Sequence, residues 1–146
     1  MSPNGSRHAC LLYRKAAEEL AAVRDDVATI SISDMKARQS AKIREIGEAL
    51  VATGFVSLDA QTAALELPRS TTYTILSAEH KSTGISAKIV CRMLSSQRLP
   101  SLVRAKVIEY AAEKAAGLYG GTKAQRRKFV HALRLIGAHG WPRIAA

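Results

Sequence analysis

The chain has 146 residues, of which 47% are apolar and only 5% aromatic, and its formal net charge is +10. That length suits one domain with a real core, and an apolar set dominated by Ala, Leu and Ile excludes a sandwich built on Val, Tyr, Phe and Trp. No apolar run reaches the roughly 20 residues that span a bilayer, and two cysteines without a CxxC exclude a disulfide framework or a zinc ribbon.

The charge is unevenly placed. Residues 1–80 carry 9 Lys+Arg and 10 Asp+Glu, whereas residues 81–146 carry 13 and 2. A merely solvated surface would intersperse both signs along the chain. A surplus confined to the last 66 residues points to a polyanionic partner.

Taken in order, residues 1–6 are polar and turn-rich. Leu12, Ala16, Leu20, Val23 and Val27 then step by 3 or 4, which predicts a helix over residues 7–28. Ser33 or Asp34 is placed to cap a second helix running to about Thr53, with Ile43, Ile46 and Leu50 inward and Gly54 just past its end. Residues 1–54 therefore read as a helical hairpin, or as a dimer seam, since the same spacing serves both.

Ser57 or Asp59 caps a short helix over residues 60–66, which Pro68 stops. Ser70 caps a helix over 71–80, and Ser86, behind the turn at Gly84, caps one over 86–95. Pro100 opens a longer helix ending at Gly117. After the Gly120-Gly121 pair, Thr122 caps a last helix to about Ala138. No strand-like alternation is visible. The expected fold is all-α, with residues 55–146 forming a multi-helix helix-turn-helix domain.

Two windows compete for a groove-reading helix. In Gly84-Ile85-Ser86-Ala87-Lys88-Ile89-Val90-Cys91-Arg92, the glycine turns the chain, Ile85 buries and Ser86 caps. Ala87, Lys88, Cys91 and Arg92 are left toward the outside, where a helix N-terminus favours phosphate. This segment, with Leu99-Pro100-Ser101-Leu102-Val103-Arg104-Ala105-Lys106-Val107 behind it, resembles the DNA-binding headpiece of the lactose-repressor family over residues 84–119. The resemblance implies a headpiece type without that family's sugar-binding domain. It places Ala87, Lys88 and Arg92 at base-reading positions, with Ala87 where the family has a larger polar residue.

The alternative window is Leu67-Pro68-Arg69-Ser70-Thr71-Thr72-Tyr73. It looks like the recognition-helix start of IclR-type winged regulators, although Glu66 stands where glycine is usual and no wing strands follow. Here Ser70 would cap, Arg69 and Thr71 would reach phosphates and Tyr73 a base or sugar. The charge split favours the first window, with the 71–80 helix in support.

The expected function is site-specific binding of duplex DNA, as a transcriptional regulator. Lys88 and Arg92 would read bases, Ser86 would sit at the phosphate-facing helix start, and Arg98, Arg104, Lys106, Arg126, Arg127 and Lys128 would anchor phosphates. A homodimer is expected, because one headpiece reads too few base pairs. The alternatives are an adaptor or anti-activator that binds a regulatory protein, and a binder of structured RNA. No nucleophile elbow, phosphate loop or metal cluster is visible, so neither an enzyme nor a cofactor is expected. Met1 to Gly5 has no apolar segment behind it, and a cytoplasmic, membrane-free location is expected.

Overall fold

The computed structural model describes residues 14–18, 31–77 and 83–140, the last five of them as backbone only. Every regular element among the described residues is a helix, and the fold is all-α. Residues 14–18 are helical; the rest of the expected 7–28 helix, and the hairpin or dimer seam it would make, lie outside the described residues. The numbered elements are α1 (Ile32–Ala52), α2 (Leu58–Leu65), α3 (Arg69–Leu76), α4 (Ala87–Leu94), α5 (Ser101–Ala115) and α6 (Lys123–Gly140).

Local chemistry sets most of the boundaries. The α1 cap is Ser31, ahead of the expected Ser33 or Asp34: its hydroxyl accepts from the Asp34 amide at 3.1 Å, which leaves Asp34 in the first turn against the helix dipole. At the other end, Gly54 has φ 101°, Phe55 N donates to Leu50 O at 2.9 Å and Gly54 N to Val51 O at 3.1 Å. This paired closure satisfies carbonyls the helix leaves open. A matching pair closes α5, where Leu118 N reaches Glu113 O and Gly117 N reaches Lys114 O, both at 3.0 Å. Thr122 and Gln125 form a reciprocal cap on α6, each backbone amide donating to the other's side-chain oxygen.

Two expectations shift. Proline restrains the residue before it to extended backbone, so Pro68 itself becomes the cap and α3 begins at Arg69 rather than Thr71. Ser70 lies inside the first turn, where its carbonyl accepts from the Thr74 hydroxyl. Pro100 likewise stands at the cap of α5 instead of its first helical position.

The core is continuous. Ile43, Ile46 and Leu50 of α1 join Leu65, Ile75, Val90, Met93, Leu94, Val103, Val107 and Tyr110, with Phe129 and Leu133 of α6 completing the cluster. Each large aliphatic removed from water contributes about 1.5–3 kcal/mol. α5 is the central element: it packs chiefly on α1 and also meets α4 and α6. α4 is held on several sides, by α6 above all, then α5 and the end of α2. α3 rests on α2 and α1.

The α1–α5 seam carries a polar network. Glu113 is buried and accepts from Arg38 Nε at 3.1 Å, Arg38 Nη2 at 2.7 Å and the Tyr119 hydroxyl at 2.9 Å. Lys42 lies 3.3 Å from both Glu113 and Glu109, and 3.1 Å from Glu45. Burial opposes the Lys42 charge, but these carboxylates outweigh it and raise its pKa.

Candidate nucleic-acid interface

Helices α2 and α3 are eight residues each, joined by Glu66, Leu67 and Pro68. Glu66 takes the left-handed conformation at φ 54°, which turns the chain sharply without a glycine. Leu67 is buried behind the turn. The α3 surface then sorts cleanly: Thr72 and Ile75 are buried, whereas Arg69, Ser70, Tyr73, Thr74 and Ser77 are exposed. Spacings of 1, 3, 1 and 3 place these five on one polar face. Tyr73 is 52% exposed, so its ring lies open to solvent. Thr71 is half-buried, and Arg69 pairs with Asp59 of α2.

Helix α4 differs. Gly84 (φ 73°), Ile85 and the Ser86 cap behave as the sequence implies, with Ser86 Oγ accepting from Ile89 N at 3.3 Å. A β-carbon on Gly84 would overlap Gln39 Oε1 and Tyr110 Oη, so only glycine fits against that pair. Five of the eight α4 residues are buried, including Ala87 and Cys91. Both were expected on the outer face, and this is corrected: both are buried, on a helix that packs chiefly against α6. The outward remainder is Ser86, Lys88, Arg92 and Ser95.

Two expected phosphate anchors are engaged inside the protein. Arg104 donates from Nη1 to Leu94 O at 2.8 Å and from Nη2 to Ser96 O at 3.2 Å, closing the C-terminus of α4. Burial lowers its pKa. Lys106 bridges Glu45 at 3.3 Å and Glu109 at 3.5 Å, and these carboxylates raise its pKa. Lys106 is thus held by two carboxylates and Arg104 by two backbone carbonyls, so meeting a phosphate would require each to give up internal partners. Arg98 is exposed on the α4–α5 connection, its amide bonded to Ser96 Oγ.

The other cations gather. A groove of about 450 Å³ opens between the start of α4, the Gly120-Gly121 turn and α6, and Lys36, Lys88, Lys114, Arg126 and Lys128 line it. On the adjoining α6 surface Lys123, Arg127, His131 and Arg134 line a shallower depression together with Arg126 and Lys128. Lys88, Arg127 and Lys128, named from sequence, thus belong to one continuous basic surface beside the α4 N-terminus. Lys123 joins it one helical turn before Arg127, and Lys36, Lys114 and Arg134 join it without having been singled out. Arg134 could have been found from the spacing of 7 residues that sets it on the Arg127 side of α6. Lys36 lies in the charge-balanced half, so the charge split pointed away from it.

Lys114 is the most constrained of these cations. Its ammonium donates to Thr83 O and Ile85 O, both at 2.7 Å, and sits 4.7 Å from the Phe129 ring centre. Burial and then the Lys36 charge push its pKa down to about 8. Among the described residues no His/Cys/Asp/Glu group could hold a metal, and no helix is long and apolar enough to cross a membrane. The family-model, curated-protein and solved-structure comparisons found no match.

Proposed function

We propose that this chain binds duplex DNA, inserting the polar face of α3 into a groove and gripping the backbone with the basic surface of α4 and α6. The observation that carries the reading is the α2–turn–α3 unit. Its second helix offers Arg69, Ser70, Tyr73, Thr74 and Ser77 together, hydrogen-bonding groups and an aromatic ring on one exposed face. A major groove about 12 Å wide admits a helix whose outer face is free. α4, the helix favoured by the charge split, presents a narrower stripe because Ala87 and Cys91 are buried.

In this reading Lys88, Lys123, Arg127, Lys128 and Arg134 contact phosphates, and Tyr73, Ser70 and Thr74 contact base edges or sugars. The division follows from chemistry: the cations supply sequence-independent attraction, and the short polar side chains of α3 supply discrimination. One eight-residue helix reads few base pairs, so a homodimer acting as a transcriptional regulator is the form that would give useful specificity. Selection of bound oligonucleotides from a random duplex pool tests the reading. A recovered motif with dyad symmetry supports it, and recovery of no motif, or a preference for RNA stems over duplex DNA, overturns it.

A further inference from the structure

We infer that the groove between α4 and α6 is a binding site for a small organic anion: a carboxylate or phosphate monoester carrying a flat apolar body. The inference does not rest on the duplex reading: it concerns the interior of the groove and not the outer surface of α3, although Lys88 and Lys128 belong to both.

Three observations converge. The first is size, because about 450 Å³ falls within the range that accepts small ligands and cofactors. The second is the lining. The aromatic rings of Tyr119 and Phe129 and the methyls of Ala87 and Ala132 supply an apolar floor. Gly120 and Gly121, at φ 83° and 88°, bring bare backbone to one wall. The third is charge: five cations line the groove and, among its described lining residues, there is no Asp or Glu.

Such an arrangement raises the local positive potential, and the Lys36 charge adds to the burial that depresses the Lys114 pKa. The N-terminus of α4 adds its dipole in the same sense. Bare phosphate would use the charge and leave the apolar floor wet; a neutral ring would use the floor and forgo the charge. Only a molecule with both parts uses the whole groove.

Phenyl phosphate, inorganic phosphate and benzyl alcohol are the probes, titrated into the full chain by calorimetry in low-salt buffer. Phenyl phosphate is expected to bind at least tenfold more tightly than inorganic phosphate, with no measurable benzyl alcohol binding. Ala132→Phe fills the groove without altering its charge and is expected to abolish that preference while duplex binding persists. Lys128→Gln, at an exposed position, is expected to weaken both anions and keeps the test intact if Ala132→Phe fails to fold. Equal affinity for the two phosphates, or phenyl phosphate binding unchanged in a folded Ala132→Phe or in Lys128→Gln, would overturn the assignment.

Discussion

The amide of Ile85 donates to the hydroxyl of Tyr110 at 2.8 Å, tying the turn before α4 to the middle of α5 across 25 residues. The same hydroxyl donates to Gln39 Oε1 at 3.2 Å, so one buried phenol joins α1, α5 and the turn that launches α4. Burial pushes the Tyr110 pKa well above the ordinary phenol range, and the group stays neutral at any physiological pH.

Tyr110→Phe keeps the ring and removes the bond. A buried amide left without a partner costs about 1–3 kcal/mol. Urea denaturation should show a loss of that order with an unchanged m-value. A loss below about 0.5 kcal/mol would mean that Ile85 finds another acceptor.

Glu113 makes a second test of the frame. Replacing it with Gln would leave Arg38 beside a neutral group, while Lys42 keeps Glu45 and Glu109. Breaking a buried ion pair by removing one partner costs about 3–5 kcal/mol, and because Arg38 is 46% exposed at its side chain the lower end is expected. Thermal unfolding of Glu113→Gln reads the loss.

Lys114 should make stability depend on alkaline pH. Its folded pKa, about 8, lies below the 10.5 of the unfolded chain. Between those values the unfolded state binds the extra proton, so stability rises as pH increases from about 8 toward 10.5. Cys91, Tyr110 and Tyr119 have raised pKa values and act in the opposite sense at the top of this window. The measurement is therefore the difference between the chain and Lys114→Met from pH 7.5 to 9. The rise should be present in the former and absent from the latter.

Tyr73 and Arg92 separate the two candidate reading helices. With α3 in the groove, Tyr73→Ala should cost roughly 1–3 kcal/mol on the preferred duplex and much less on unrelated sequence. Arg92→Ala should weaken all duplexes alike. Competitive binding with specific and scrambled duplexes checks both, and the reverse pattern would return the reading role to α4.

Much of the fold was legible because helix ends are local chemistry. Ser57, Ser86 and Thr122 cap as their residue types imply, and Gly54, Gly84 and Gly117 occupy the positive-φ positions that favour glycine. The site was harder to read because its determinants are remote in sequence. Ala87 and Cys91 are small side chains compatible with either face, and they are buried in a helix whose main packing partner, α6, begins over 30 residues on. Lys106 looked available because its partner Glu45 lies 61 residues away. Glu66 hid the tightest turn, since a left-handed conformation there has no glycine to mark it.

The most direct test of duplex binding is fluorescence anisotropy of a labelled duplex of about 20 base pairs, titrated from about 50 to 200 mM salt. Roughly five phosphate contacts should give a log–log slope of about −4 to −5. Lys88→Glu, Arg127→Glu and Lys128→Glu combined should flatten that slope by about 3 and weaken binding more than a hundredfold. Absence of binding at the lowest salt, or a triple variant that binds as tightly as the unaltered chain, would contradict the account.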